Sequence, residues 1–498
     1  MNDTLSFRKL LQFLKEEGEL VVSHAEVDPI YEVAGILKTL ENGSAILFER
    51  VKGYPNVRIA GNVFTRREAL GKVFDVDPKK LKFKLLSAIS NPIPPLFIEN
   101  PPCQEVIIDK TIDIEAILPL IKHTERDGGR ILGGGIYFLG GKYAWGGKEL
   151  SFKRTHFRGK DWGSVWIVRG SHMADSIRGE FKGEKIPATI NIGVSPAVML
   201  LAAGGPDHRI LPGGVDEVAI AGGLQGSPIE ISKAKTIDGY CLSQSEWVIE
   251  GYFDSSEKVW ETEEAERIGR EREAPFFPEF HRWLGRASKG IKFVVTAITH
   301  RKERPIFYAP LADSFESDNL QNPAIEATLF ELSNRLYPGF VQDINILPSQ
   351  ASGVGIVIQV KKRGAGDDGH VRSLLANILA GELGINLAII VDEYVDIYST
   401  DDVLWAVTTL TNPLSGIIDL KGIGGGVTAL LTLGDKRQEL GGSIGIDATI
   451  PFTQRRFFER PHYPVDKIDL TKHFSEETIL KIKTRQSDYA RLLAQKGW

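Results

Sequence analysis

The chain has 498 residues, 42% of them hydrophobic and 25% charged, with a formal net charge of −5. That is the make-up of a globular protein with room for two or three domains, and it excludes a global basic field for nucleic acid. Cys103 and Cys241 are too few for a disulfide framework or a cysteine metal cage, and no apolar run reaches the length of a membrane span.

In chain order, residues 4–17 read as an amphipathic helix, with Phe7, Leu10, Leu11 and Leu14 on one face and Gly18 as its stop. These first residues lack the apolar core of a signal peptide, so a cytoplasmic protein is expected. Asp28-Pro29 opens a second helix carrying Ile30, Val33, Ala34 and Leu37. Ala45–Phe48 and Val57–Ala60 read as strands, and Asn91–Pro102, with five prolines in twelve residues, as a boundary. From Val106 strand-like runs (VIID, IYFLGG, SVWIV, ATINIGV, EVAIAGGL, PIEI, WVIEGYF, FVVTAIT) alternate with glycine-rich turns, interrupted by one helix near Pro196–Ala203. That texture suggests a barrel or curled sheet. The charged stretch Glu261–Arg272 reads as a solvated loop or helix. After about residue 320 helices (Ile325–Leu336, His370–Leu383, Asp401–Thr408) alternate with strands (Val354–Val360, Leu387–Val391), which implies a mostly parallel sheet. Gly422–Gly426 and Gly441–Gly445 read as turns and Ser475–Gln495 as a final helix suited to docking on a neighbouring subunit or domain.

Several residues could carry chemistry. Lys148–His172 gathers Lys153, Arg154, His156, Arg158, Lys160, Arg169 and His172 behind Gly128, Gly129, Gly133, Gly134 and Gly135. Cations beside a close-approaching backbone suit an anion or phosphate, and the same run also reads as a solvated basic hairpin. Glu149, His172 and Glu246 are ligand types for Mg²⁺ or Mn²⁺, although their spacing fits no short metal motif and equally describes surface residues. Glu273 and Glu279 flank Ala-Pro-Phe-Phe-Pro, where desolvation would suit proton transfer, or else they are solvated loop residues. Arg154 could clamp a carboxylate or make a surface salt bridge. Neither a dinucleotide fingerprint nor a Walker A loop is present.

Taken together, DGGRILGGG (Asp127–Gly135), GVDEVAIAGGLQGSPIEI (Gly214–Ile231), SEWVIEG (Ser245–Gly251), EAPFFPEF (Glu273–Phe280), VTAITHRKERPI (Val295–Ile306), VDEYVDIYSTDDVLWAVTT (Val391–Thr409) and IGIDAT (Ile444–Thr449) resemble, in order and spacing, the UbiD family of prenylated-FMN-dependent decarboxylases. The resemblance, which includes FRKLLQFLKEEGEL at the N-terminus, implies an α/β (α+β) chain in three parts. These are an N-terminal α/β region (1–105), a central split β-barrel holding prenylated FMN (106–320), and a C-terminal α/β oligomerisation domain (321–498). It further implies a homodimer or homohexamer, a divalent metal (Mn²⁺ or Mg²⁺, or Fe²⁺) and K⁺ at the cofactor phosphate, and a flavin prenyltransferase as cofactor supplier. The reaction implied is reversible loss of CO₂ from an aromatic or α,β-unsaturated carboxylic acid.

By the same resemblance Arg154, Glu273 and Glu279 are the catalytic set, with Glu279 donating a proton and Glu273 holding Arg154. Ser151, Phe152, Lys153, Arg154, His172 and Glu246 fall at cofactor-binding positions, and Glu149, His172 and Glu246 at metal positions. Glu149 stands where the family has asparagine, and Glu273–Glu279 is one residue longer than the family element. Those two departures motivate an alternative, an accessory subunit of a carboxylase complex with its chemistry lost. A flavin-dependent oxidoreductase is the other alternative, since split barrels also serve flavin reductases.

Overall fold

The computed structural model describes residues 4–498 except 168–170, 206, 213, 351–352, 382–383 and 425–439. The chain forms two compact units, Met1–Thr328 and Leu329–Trp498.

The first unit begins with helix Phe7–Glu16, whose first turn is capped by Ser6 accepting from Lys9 N–H, and which buries Phe7, Leu10, Leu11 and Leu14 as the periodicity requires. It packs beside a four-stranded sheet in the order Leu20–Val27, Ala45–Val51, Arg58–Gly61, Ile306–Tyr308. The last of these strands comes from far along the sequence, so the N-terminal and central segments share a sheet. The body of the unit is a nine-stranded sheet built around the long neighbours Trp247–Trp260 and Lys289–His300. On one side the path continues through Trp162–Val165, Thr155–Phe157 and Ile131–Leu132; on the other through Lys185–Ile192, Ile136–Gly140 and Lys148–Phe152; the ninth strand, Val106–Ile108, pairs with Lys289–His300 off this path. Tyr137, Phe253 and Phe293 interlock at its centre with ring centroids 5.1–5.4 Å apart.

EVAIAGGL, read above as a strand, is the start of helix Glu217–Gln225. Asp216 caps it by accepting from Ala219 N–H at 2.6 Å, and Gly226 ends it in the left-handed region at φ 77°. The helix is buried nearly all round, so it lacks the polar face that marks a helix in sequence.

The long helix Phe315–Leu336 carries Glu316, fully buried, accepting from Phe64 N–H at 3.0 Å. Burial pushes its carboxyl up to about 7. The folded state therefore holds this proton more tightly than the unfolded chain does. Stability falls as pH rises from about 4.5 to about 7 and levels off above. Glu316→Gln is expected to flatten that dependence, a difference of roughly 3 kcal/mol at most, read by urea unfolding at pH 5 and pH 8.

The second unit is a five-stranded sheet in the order Val341–Asn345, Gly355–Val360, Leu387–Asp392, Leu440–Ala448, Ile417–Gly424. The three central strands are parallel and both edges antiparallel. Helices Asp367–Ala380 and Thr400–Leu410 follow the predicted alternation. The two glycine stretches read as turns fall instead on the Ile417–Gly424 and Leu440–Ala448 strands, where Gly422 (φ 69°) sits at the bulge between Lys421 and Ile423; Gly425 and Gly426 lie outside the described residues. The expected final helix is two, Glu476–Arg485 and Asp488–Lys496, because Ser487 starts a new one by capping Ala490 N–H. The chain end is fixed by Arg460, whose guanidinium lies 3.6 Å from the Trp405 ring and 3.9 Å from the Trp498 ring and pairs with Asp402 at 2.8 Å.

Candidate active site

The strand Lys148–Phe152 ends two residues before Arg154, and Arg154 is the centre of the site. Its Nε and Nη2 donate to Glu261 Oε1 and Oε2 at 3.0 and 3.1 Å, a bidentate fork. Its Nη1 meets Glu279 Oε1 in a short ion pair. The guanidinium lies 4.9 Å from the Trp166 ring and 4.7 Å from the Phe276 ring. Glu261 is fully buried and anchored in turn by Ser288 N–H at 2.8 Å. Burial pushes its carboxyl up, and Arg154 opposes that shift. Behind it His156 Nδ1 contacts the Glu261 carbonyl; burial lowers that imidazole to about 4, so it is neutral.

This cluster opens on a cavity of about 290 Å³. Lys153, Arg154 and Glu279 supply its charge, Trp166, Phe277, Phe280 and Tyr308 its aromatic walls, and Pro310, Leu311 and Leu320 its apolar end. A planar aromatic molecule carrying one carboxylate matches that lining.

Of the residues expected at the site, Arg154 and Glu279 meet, and Phe152 and Lys153 join them at the cavity. The extra residue between Glu273 and Glu279 is absorbed in the hairpin Pro275–Pro278/Leu284–Arg286, so Glu279 still reaches Arg154. Glu273 does not: it pairs with Arg270 at 3.2 Å on the surface, and Glu261 grips Arg154 instead. Glu261 went unremarked because it opens a charged stretch that reads as solvent-facing. Its one local signal is position, immediately before Thr262, which caps helix Glu263–Ile268.

The three expected metal ligands are not brought together. Glu246 is buried in ion pairs with Arg8 at 2.8 Å and Arg301 at 3.4 Å and accepts from Ile306 N–H at 3.0 Å, which ties helix Phe7–Glu16 to the sheets. His172 lies beside His208, ring centroids 5.8 Å apart. Glu149 has a different carboxylate neighbour, Glu217. Glu217 accepts from Leu150 N–H at 2.6 Å, and burial and then the charge of Glu149 push its carboxyl up to about 8. Both acids face the ammonium of Lys153, which desolvation lowers. Among the described residues no group of three His, Cys, Asp or Glu side chains is arranged to hold a metal ion. The donor set brought together is thus two carboxylates and an ammonium, which does not match the expected Glu149–His172–Glu246 set.

The basic run is likewise dispersed. Arg158 pairs with Glu266 at 2.8 Å and Lys160 with Asp113 at 3.2 Å, while Arg169 lies outside the described residues. The glycine run serves close packing, since a Cβ at Gly134 would strike the Tyr308 carbonyl.

Residues 97–312 match the 3-octaprenyl-4-hydroxybenzoate carboxy-lyase Rift-related domain, 11–89 the N-terminal domain of the same enzymes and 318–448 their C-terminal domain. The chain belongs to the UbiD family. This UbiD-family carboxy-lyase is 26% identical over 484 residues to the gallate decarboxylase of Lactiplantibacillus plantarum, covering 92% of this chain and 96% of that one. It is 27% identical over 493 residues to a phenolic acid decarboxylase of Bacillus subtilis, covering 95% and 98%. Among solved structures it resembles the UbiD-class enzyme HmfF from Pelotomaculum thermopropionicum in complex with FMN, with a TM-score of 0.83, 28% identity and coverage of 94% and 100%. An evolved dimeric form of HmfF in complex with prFMN gives a TM-score of 0.80 at 27% identity, with the same coverage. No helix among the described residues is long and apolar enough to cross a membrane.

Proposed function

We propose that this UbiD-family chain catalyses the reversible, non-oxidative decarboxylation of a monocyclic aromatic or α,β-unsaturated carboxylic acid with prenylated FMN. The observation that carries the reading is Arg154 gripped by Glu261 on one edge and meeting Glu279 on the other, at the wall of the 290 Å³ aromatic cavity. Bound prenylated FMN supplies the electron sink that C–C cleavage needs. The chain's residues do the rest. Glu261 fixes the Nε/Nη2 edge of Arg154, so the Nη1 side, which also meets Glu279, is the one that orients a substrate carboxylate beside the proton donor. Trp166, Phe277 and Tyr308 hold the ring and exclude water. Glu279 delivers a proton to the carbon vacated by CO₂. Under high CO₂ the same groups serve carboxylation. Because Arg158 and Lys160 are paired elsewhere, the lining supports an acid with one anionic group rather than a phosphorylated or CoA-linked one.

Ser151, Phe152, Lys153 and Arg154 are the residues we assign to flavin binding. A divalent ion (Mn²⁺, Mg²⁺ or Fe²⁺) and K⁺ at the flavin phosphate rest on family resemblance alone, and no step here passes through them. The chain, produced together with a flavin prenyltransferase and offered a panel of aromatic and cinnamic-type acids, is expected to release CO₂ from at least one. No release from any acid with the flavin bound would favour the accessory-subunit reading, and NAD(P)H oxidation the oxidoreductase one.

We assign a homo-oligomer, dimer or hexamer, to the exposed C-terminal segment. Phe457, Tyr463, Ile468, Leu480 and Ile482 are each at least 50% exposed there, more apolar surface than a short terminal segment leaves in water. Leu480→Asp with Ile482→Asp is expected to reduce the mass seen by light scattering to that of one chain. An unchanged mass contradicts this assignment.

A further inference from the structure

Glu279 sits on a tight turn beyond the strand Pro275–Pro278. Its N–H donates to the Trp283 carbonyl at 3.0 Å, and Arg282 N–H donates back to the Glu279 carbonyl at 2.8 Å. Arg282 closes the turn at φ 62°, in the left-handed region that an arginine enters only when held. Trp283, at the far side of the turn from the cavity-lining Phe280, is 67% exposed and gives that side no apolar anchorage. Its anchor lies on another element. Arg282 Nη2 donates to Asp318 Oδ2 at 2.7 Å, and the guanidinium lies 5.4 Å from the Phe315 ring. Asp318 is 3% exposed in the first turn of helix Phe315–Leu336, which also lines the cavity through Ser317, Leu320 and Gln321. A buried carboxylate bound to an arginine is a strong, directional tether.

We infer that the Arg282–Asp318 ion pair is a latch that sets Glu279 against Arg154, which makes Arg282 a positioning residue for proton delivery. The inference rests on Glu279 being the proton donor. With the tether cut, the turn relaxes out of its left-handed conformation and the carboxyl leaves the Arg154 edge, while the walls that lie off the turn, Trp166, Phe277 and Tyr308, stay in place. Substrate binding survives and the proton-delivering step suffers, because a donor displaced by about 1 Å forfeits most of its advantage.

The test uses Arg282→Gln, Arg282→Lys and Glu279→Gln in the flavin-loaded full chain. Hydrogen exchange of the 279–286 amides is expected to rise about tenfold in Arg282→Gln with the rest of the chain unchanged. In the same variant kcat is expected to fall about tenfold or more with KM within twofold. Arg282→Lys restores part of both, and adding Arg282→Gln to Glu279→Gln brings no further loss. Unchanged exchange in the turn, kcat within twofold of wild type, or fully additive losses overturn the latch. If the wild-type chain releases no CO₂ from any acid, the proposed reaction fails and the exchange measurement alone decides on the latch.

Discussion

Arg154→Gln is expected to lower kcat/KM for decarboxylation by about 10³-fold. The guanidinium touches Glu261 and Glu279 and lies over the Trp166, Phe276 and Phe277 rings at once. Glutamine keeps much of the length but removes the charge and the fork, so the substrate carboxylate loses its clamp and Glu261 becomes a buried carboxylate without a counter-charge. Arg154→Lys is expected to recover only part of the loss, because an ammonium cannot engage Glu261 in two parallel hydrogen bonds and still present an edge to the cavity. Flavin content, read by absorbance, and the unfolding midpoint separate a lost clamp from a lost fold. A variant that holds flavin and unfolds normally, yet turns over as fast as wild type, contradicts the role given to Arg154.

Glu279→Gln is expected to lower kcat by roughly 10²–10⁴-fold with KM and flavin content near wild type. The amide is close to isosteric and accepts from Arg154 through its oxygen, so the cavity is conserved, but it has no acidic proton to give. Glu279→Asp shortens the reach by one methylene and is expected to fall between the two. Unchanged turnover in Glu279→Gln removes the residue from proton delivery, and the Arg282–Asp318 latch then has nothing to position.

The periodic elements were legible in the sequence wherever one face meets water. Phe7, Leu10, Leu11 and Leu14 announce their helix, and the alternation after residue 320 announces the parallel sheet at the centre of the second unit. Where an element is buried on all sides the signal fails, and EVAIAGGL, the start of helix Glu217–Gln225, reads as a strand. Arg154 and Glu279 were legible through family resemblance. The arginine's strongest partner, 107 residues further on, was not, because a pairing at that separation is set by strand register and leaves no local pattern. Glu246 shows the reverse case. Its family resemblance makes it a metal ligand, yet two arginines, one of them 238 residues away, satisfy it as a tie between the first helix and the sheets. Glu217 carries no such flag, since the hydrogen bond that sets it beside Glu149 comes from Leu150, 67 residues earlier.

The most direct measurement is decarboxylation in D₂O by the chain loaded with prenylated FMN, following CO₂ release and the isotopic content of the product across the acid panel. The account predicts CO₂ equal to product formed, with one deuterium on the carbon that bore the carboxylate. A flavin-loaded chain that releases no CO₂ from any acid would contradict it.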